Sequence, residues 1–256
     1  MRADLYLFHN GYVKSRQKAK NLIENGSVKI NGSVVTKASF EVTVGNNIIE
    51  IEDTCPYVSR GGLKLEAILR LTNADIENKI CLDIGASTGG FTHCLLLNGA
   101  KKVYAVDSGT AQLADELVND NRVVSMENYN ARCLCLEDVG EFVDIITIDV
   151  SFISQNLIMP NASLLLKDGG LYFSLIKPQF EVGRSFIGKG GIVKDKKARL
   201  MAINSVLECA LQCGLVCTML CKSPIQGGDG NVEYLATFSR NGQWISQEHI
   251  KRIANE

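Results

Sequence analysis

The pattern of apolar and polar positions changes near Thr54-Cys55-Pro56. Before this point it predicts two short helices, ADLYLFHNGYV and SRQKAKNLIENG, then a hairpin, SVKINGSVV, and a further strand, NNIIEIED. The hairpin turns at Asn31-Gly32, and an Asn-Gly pair between alternating apolar residues is a strong signal for a two-residue turn. We therefore predict a small α+β domain over residues 1–56.

From residue 57 onward, predicted strands and helices alternate. The strands are KICLDIGA, KVYAVD, RVVSMENYN, FVDIITIDV and LYFSLIKP, and the helices are FTHCLLLNGA, TAQLADELVND, ISQNLIMPNASLLLKDGG and DKKARLMAINSVLECALQCG. Two adjacent, antiparallel strands, LVCTMLCKSP and NVEYLATFSR, follow. Alternating strands and helices form a parallel sheet covered on both faces, so residues 57–256 predict an α/β, Rossmann-like domain with a mostly parallel seven-stranded sheet.

The composition is that of an ordinary globular protein, with 46% hydrophobic and 21% charged residues. No apolar run approaches the ~20 residues that a membrane helix needs, and the first residues lack the apolar core of a secretory signal. We expect a cytoplasmic protein without stable membrane association. The nine cysteines are scattered without a C-x-x-C pair, which favours reduced thiols and no metal site. Nothing in the sequence indicates an oligomeric state.

The net charge of −1 conceals two basic segments. Residues 1–40 carry seven basic side chains against two acidic ones, and so do residues 177–199. Local basic patches on a neutral chain can attract a phosphate backbone, although such a run is also common on a solvated face. The glycines and lysines of residues 184–199 predict a mobile loop that becomes ordered on RNA.

The N-terminal segment resembles the S4-like RNA-binding domain. The matching residues are Arg2-x-Asp4-x-x-Leu7, Ser15-Arg16-x-x-Ala19-x-x-Leu22-Ile23 and Gly26-x-Val28-x-Ile30-Asn31-Gly32. This resemblance implies that the basic face of a helix binds structured RNA. We assign RNA binding to seven residues, Arg2, Arg16, Lys18, Lys20, Arg60, Lys189 and Lys194.

A glycine-containing loop, LDIGASTGGFT, lies between the first predicted strand and helix of the second domain. Such a loop brings backbone N–H groups and a helix start close to a ligand. The next strand ends at Asp107, an acidic residue placed to bind ribose hydroxyls. D-x-G-x-x-x-G-G with this aspartate resembles the S-adenosylmethionine site of class I methyltransferases. The resemblance implies cofactor contacts from Asp83, Gly85, Ala86, Ser87, Thr88, Gly89, Gly90, Phe91, Asp107, Asn130 and Asp149.

Charged residues close several of the predicted strands. Asp83, Asp107, Asp149 and Lys177 each follow or end a strand, and ligands of open α/β sheets bind at that edge. Lys64 lies near a helix start before the first strand, and Glu233 stands between apolar neighbours at the last strand. Lys64, Asp149, Lys177 and Glu233 together form a Lys-Asp-Lys-Glu set.

The motifs around this set resemble the FtsJ-like ribose methyltransferases and, within them, the TlyA, or hemolysin-like, branch. They are Ser59-Arg60-Gly61-Gly62-x-Lys64-Leu65, Asp149-Val150-Ser151-Phe152-Ile153-Ser154, Lys177-Pro178-Gln179-Phe180-Glu181 and Asn231-Val232-Glu233-Tyr234. The resemblance implies methyl transfer from S-adenosylmethionine to a ribose 2′-oxygen of 16S and/or 23S ribosomal RNA, chiefly at cytidine, with ribosomal subunits as partners. It makes Lys177 the favoured base, with Lys64, Asp149 and Glu233 orienting the groups. Glu181 is a rival for the acidic role.

Two alternatives remain open at this stage. The historical name of the branch suggests a membrane-active hemolysin, which would need an amphipathic or apolar segment able to insert, and no such segment is evident. The other alternative is a nonenzymatic RNA-binding or ribosome assembly factor. A binding module has no need for the Lys-Asp-Lys-Glu set, which favours the enzyme.

Overall fold

Two helices and a three-stranded antiparallel sheet form the first unit of the chain, residues 1–60. The computed structural model describes residues 1–13, 15–24, 26–52, 55–227 and 230–256, so Lys14 of the basic segment and Thr54 of the expected boundary lie outside the described residues. The elements are α1 (Ala3–His9), α2 (Arg16–Glu24), β1 (Val28–Ile30), β2 (Ser33–Val35) and β3 (Ile49–Ile51), with strand order β2-β1-β3. Leu7, Ile23 and Val28 are fully buried in its core.

The hairpin predicted at Asn31-Gly32 is confirmed. Ile30 pairs with Ser33, which leaves a loop of two residues. Asn31 has φ 53° and Gly32 has φ 79°, so both adopt the left-handed backbone that a type I′ turn requires.

The second unit, residues 61–256, is built on a seven-stranded sheet. Its strands are β4 (Ile80–Ile84), β5 (Lys102–Val106), β6 (Val123–Met126), β7 (Val143–Ile148), β8 (Leu166–Ile176), β9 (Val216–Lys222) and β10 (Tyr234–Ser239). Its helices are α3 (Gly61–Thr72), α4 (Gly90–Leu97), α5 (Asp115–Val118), α6 (Leu136–Val139), α7 (Met159–Leu164), α8 (Pro178–Glu181), α9 (Lys196–Gln212) and α10 (Gln247–Asn255). The strand order is β6-β5-β4-β7-β8-β10-β9; β10 pairs antiparallel with both β8 and β9, and the other neighbouring strands pair in parallel.

This topology confirms the α/β, Rossmann-like prediction. The central strands carry apolar residues on both faces because helices cover both sides of the sheet. Ile84, Ile146 and Ile148 are fully buried, and α9 packs with Ile203 and Val206, three residues apart on one face.

The strand order also fixes where a ligand can bind. The chain passes from β4 outward to β5 and β6, then returns to β7 on the other side of β4. Connections that leave neighbouring strands in opposite directions open a crevice at their carboxyl ends. Gly85 and Asp149 follow β4 and β7 there, and the Asp149 N–H donates to the Ile84 carbonyl at 2.9 Å.

Three details differ from the sequence prediction. The helix predicted over residues 153–170 is only a short 3-10 turn and α7, because β8 begins at Leu166. The first part of β8 is irregular: Gly169 has a left-handed backbone, φ 80°, and the register between β7 and β8 shifts there. The helix predicted over residues 110–120 is confined to α5, and α10, which buries Ile250 and Ile253, was not predicted.

We expect Gly85→Ala to destabilise the protein more than Gly140→Ala. Both glycines have nearly the same left-handed backbone, φ 82° and φ 81°, but a Cβ on Gly85 would lie 2.4 Å from the Asp149 carbonyl oxygen and a Cβ on Gly140 would meet nothing within 4 Å. The backbone strain alone costs about 1–2 kcal/mol in each. Chemical denaturation should therefore give a clearly larger loss of unfolding free energy for Gly85→Ala, and equal losses would contradict the close approach.

Candidate active site

The glycine loop between β4 and α4 is held against the end of β5. The N–H groups of Gly85 and Ala86 both donate to the Val106 carbonyl, at 2.8 and 3.1 Å. Gly89, with φ 94°, lacks a side chain where a Cβ would collide with Leu117. The loop therefore needs glycine at both ends, and α4 starts directly after it at Gly90.

Asp107 ties this loop to the loop after β5. Its Oδ2 accepts a hydrogen bond from the Ser87 N–H at 2.8 Å and its Oδ1 accepts one from the Gly109 N–H at 2.7 Å. An ionised carboxylate offers about four acceptor positions, so two remain. The half-buried Asp107 can thus bind ribose hydroxyls while it shapes the loop.

Asp83 supports the loop from below. The sequence groups it with the charges at the sheet edge, but its side chain is fully buried inside the unit. Oδ2 accepts from the Thr92 hydroxyl at 2.6 Å and Oδ1 from the Thr147 hydroxyl at 2.8 Å. Burial raises the pKa of Asp83 to about 6, and the two hydroxyls oppose this shift.

Asn130 lies beside the same edge. The Tyr129 N–H donates to the Asp107 carbonyl at 2.9 Å, which brings residues 129 and 130 next to the loop after β5. The exposed Asn130 accepts a hydrogen bond from the Arg132 N–H at 3.2 Å and begins a 3-10 turn.

The first lysine–carboxylate pair joins the ends of β7 and β8. The Lys177 ammonium lies 2.5 Å from Oδ1 of Asp149 and donates to the Ser151 hydroxyl at 3.0 Å. Oδ1 of Asp149 is buried and receives no aligned hydrogen bond, so the contact is an ion pair. Both side chains are largely buried but reach solvent, with 12% of Lys177 and 21% of Asp149 exposed.

The second pair joins α3 to β10. The Lys64 ammonium donates to Oε2 of Glu233 at 2.5 Å, and only 11% and 2% of the two side chains are exposed. Because β10 is antiparallel, its amino end lies at the edge where the parallel strands end. Tyr234 pairs with Ile176, so Glu233 stands beside Lys177.

The two pairs form one electrostatic cluster. Burial raises the pKa of Glu233, the Lys64 ammonium opposes the shift, and the charges of Lys177 and Asp149 also act on it. A buried ion pair is a weak source of stability because desolvation offsets the attraction. Two such pairs at a ligand-binding edge therefore indicate function.

Phe152 has a backbone and an exposure that its place in the sequence motif does not indicate. Its side chain is 92% exposed and its backbone has φ 66°, a genuine outlier for a bulky residue. The ring packs at a tilt on Phe180, with 5.3 Å between the centroids. An aromatic residue three positions after a strand-end aspartate was the signal available in the sequence.

Glu181 does not join the four charges by direct contact. Its carboxylate accepts from the Ser154 hydroxyl at 2.5 Å and from the Gln155 N–H at 3.1 Å. Burial raises the pKa of Glu181, although both hydrogen bonds act to lower it. Glu233 contacts Lys64 whereas Glu181 contacts Ser154 and Gln155, which favours Glu233 over its rival Glu181 for the acidic role.

The basic residues assigned to RNA have different surroundings. Arg2 and Arg16 both bind the buried carboxylate of Asp4, at 2.9 and 2.8 Å, and their side chains remain 43% and 54% exposed. Lys18 and Arg60 are half-buried, Lys20 pairs with Glu24 at 3.8 Å, and Lys189 and Lys194 are exposed.

The basic segment 184–199 is tied to the start of β10. The side chain of the buried Asn231 accepts from the Val193 N–H and donates to the Gly191 carbonyl, both at 2.9 Å. The segment contains two 3-10 turns, and Lys189 and Lys194 lie on the surface, while its mobility stays a prediction.

Comparison with known proteins identifies the family. The profile of the FtsJ-like methyltransferases matches residues 57–240, and that of the S4 domain matches residues 1–48. The chain is 46% identical to hemolysin A of Brachyspira hyodysenteriae, over 93% of this chain and 99% of that protein. It is 39% identical to the 16S/23S rRNA (cytidine-2'-O)-methyltransferase TlyA of Mycobacterium tuberculosis, over 91% and 88%. The chain belongs to the TlyA branch of the FtsJ-like methyltransferases.

A solved structure agrees with this TlyA membership. A protein of Streptococcus thermophilus, named as a hemolysin, superposes with a TM-score of 0.79 at 41% identity and covers 100% of this chain and 94% of its own. In the described ranges of the present structure, no helix combines the length and apolarity needed to cross a bilayer. The same ranges contain no cluster of three His, Cys, Asp or Glu side chains suited to a metal ion.

The raised pKa of Asp83 predicts a specific pH dependence of stability. Between about pH 4 and pH 6 the buried carboxyl holds its proton in the folded state and loses it in the unfolded state, so its contribution to stability falls as pH rises, by about 3 kcal/mol in all. Asparagine does not titrate, so Asp83→Asn does not lose stability in this way. Denaturation measured at several pH values should show the unfolding free energy of Asp83→Asn rising relative to that of wild type between about pH 4 and pH 6.

Asp144 provides the control of opposite sign. Burial acts to raise the pKa of Asp144, but the Ile80 N–H and the Lys167 ammonium outweigh it and leave the pKa lowered. Its contribution is therefore lost as pH falls, and Asp144→Asn should lose stability relative to wild type as pH rises. The same sign of pH dependence for both variants would contradict this account.

Proposed function

We propose that this methyltransferase uses S-adenosylmethionine to methylate a ribose 2′-oxygen of ribosomal RNA, chiefly at cytidine in 16S and/or 23S RNA. The observation that best supports this proposal is that the Lys177–Asp149 and Lys64–Glu233 pairs lie together at the sheet edge where the glycine loop also lies. Ribosomal subunits, as the expected partners, would make the cytoplasm the place of action.

The residues of the loop fit a nucleoside cofactor. Asp107 keeps free acceptor positions for ribose hydroxyls, and residues 85–91 give close access to backbone at the start of α4. Asn130 is the candidate neighbour of the base, and Asp149 borders the loop through its contact with Gly85. When bound, S-adenosylmethionine supplies an activated methyl group. Asp83 holds the loop from below and has no direct contact in this proposal.

The four charged side chains suit the activation of a hydroxyl group. A ribose hydroxyl is a weak nucleophile near neutral pH, so it needs proton removal and accurate placement. Lys177 is the base in this proposal: the ammonium of the ion pair first gives a proton to solvent, and the resulting amine accepts the hydroxyl proton. Asp149 and Ser151 hold its nitrogen in place, while Glu233 holds Lys64 within the same cluster.

The S4 unit supports RNA as the substrate. Asp4 fixes the two guanidinium groups of Arg2 and Arg16 while leaving about half of each side chain exposed, an arrangement suited to phosphate oxygens. The exposed ring of Phe152 beside the Lys177–Asp149 pair offers a face on which an unstacked base could lie, as aromatic side chains do in RNA recognition. The TlyA relative from Mycobacterium tuberculosis is named for cytidine 2′-O-methylation of 16S and 23S RNA, which supports the same target class.

Transfer of a tritiated methyl group tests the proposed function. Purified protein and S-adenosylmethionine should label unmodified ribosomal subunits or their RNA, and mapping should place the label on ribose. Asp149→Asn should keep the fold but reduce transfer at least about a hundredfold, since it disturbs the placement of Lys177. Asp144→Asn, on the same strand β7, should retain activity. Absence of transfer to every subunit and to naked ribosomal RNA would refute the proposal, and full activity of Asp149→Asn would refute its mechanism.

Salt dependence tests the basic segment. If Lys189 and Lys194 contact phosphate, Lys189→Ala and Lys194→Ala should each weaken binding to unmodified ribosomal RNA and lower the slope of log affinity against log salt by about one. Lys79→Ala is the matched control, because Lys79 precedes β4 at the opposite edge of the sheet and pairs with Asp75. Slopes unchanged from wild type in both test variants would exclude these contacts.

A further inference from the structure

Two chain segments enclose the Lys177–Asp149 pair. Residues 149–155 follow β7, and residues 177–181 follow β8 and include α8. Glu181 lies at the far end of the second segment from Lys177. It is a half-buried carboxylate for which the proposed reaction has no use.

Contacts join the two segments along their whole length. At one end, Lys177 holds Asp149 and Ser151. In the middle, the Phe152 ring packs on the Phe180 ring. At the other end, both oxygens of Glu181 accept hydrogen bonds, Oε2 from the Ser154 hydroxyl and Oε1 from the Gln155 N–H.

Gln155 is itself fixed to the sheet. The Ser174 hydroxyl donates to its Oε1 at 2.5 Å, and its Nε2 donates to the Leu175 carbonyl at 3.5 Å. Its side chain is buried, with 1% exposed. Through Gln155, Glu181 therefore connects α8 to a point that is rigid with respect to β8.

The backbone between these anchors is strained. Phe152 adopts φ 66°, which is unfavourable for a bulky residue, and its ring is 92% exposed, so burial gives little compensation. Such a conformation persists only where the surroundings determine it from several sides. Lys177 supplies one restraint before Phe152, and Glu181 supplies the restraint after it.

We propose that Glu181 is a positioning residue of the methyl-transfer reaction, which holds residues 150–155 and α8 in the arrangement that sets Asp149 against Lys177. The inference rests on the proposed function. Glu181 acts through Ser154 and Gln155 and makes no contact of its own with the reacting groups.

Glu181→Gln tests this role in the full-length chain. It keeps the size of the side chain, but the amide can no longer accept on both sides. We expect kcat for ribosomal RNA methylation to fall about tenfold to hundredfold, because small misplacements of reacting groups cause losses of this size. The Kd for S-adenosylmethionine, measured by calorimetry, should change less than about twofold. Ser154→Ala should lower kcat in the same way, and Ser154→Thr, which keeps the hydroxyl, should restore it.

Glu141→Gln is the matched control. Like Glu181, Glu141 accepts two hydrogen bonds, here from the Lys102 ammonium and the Tyr104 hydroxyl, but it lies just before β7 at the opposite edge of the sheet. The substitution Glu141→Gln should leave kcat unchanged. An unchanged kcat in Glu181→Gln, or an equal loss in Glu141→Gln, would overturn the positioning role.

A second measurement separates this inference from the proposed function. Amide hydrogen exchange of the free protein should become faster at residues 150–155 in Glu181→Gln and Ser154→Ala, and stay at the wild-type rate there in Glu141→Gln. If the wild-type protein transfers no methyl group to ribosomal RNA, the proposed function is refuted, and with it the catalytic part of this inference. Unchanged exchange at residues 150–155 would refute the restraint itself.

Discussion

The approach of the chain after β7 to the chain after β4 is the constraint on which this site depends. These two strands are neighbours in the sheet but are separated in sequence by β5 and β6, so the chain leaves them in opposite directions. At the point of divergence the Asp149 carbonyl oxygen lies only 2.4 Å from where a Cβ of residue 85 would be, and only glycine allows that approach. The glycine loop and Asp149 are therefore placed by one backbone contact.

Electrostatics explain why the charges at this edge occur in pairs. Burial of a single lysine or carboxylate costs far more free energy than burial of a matched pair, and Lys64 and Glu233 are nearly inaccessible. Lys177 and Asp149 keep more access to solvent and border Ser151 and Phe152, so this pair is the one a substrate can reach. The difference in exposure is consistent with a supporting role for the first pair and a reacting role for the second.

In both units, polar groups with little or partial exposure hold other parts of the structure in place. In the S4 unit, a buried aspartate orients two arginines and leaves them exposed. In the methyltransferase unit, the buried Asp83 supports the glycine loop, the buried Asn231 supports the basic segment, and the half-buried Glu181 supports the segment after β7. Functional side chains held by buried hydrogen bonds are better placed than side chains on unsupported loops.

The sequence by itself determined the two-part organisation, the type of sheet, the hairpin at Asn31-Gly32 and the identity of the four charged residues, because periodicity, turn chemistry and motif residues are local properties. It did not determine that Asp83 is buried beneath the loop, that β8 begins before its glycines, or that α10 exists. The pairing of Lys64 with Glu233 spans 169 positions and arises only because β10 is antiparallel and starts at the edge where β8 ends. The tertiary structure alone decided which charges meet and which carboxylates serve as supports, since strand order and burial result from packing of residues distant in the chain.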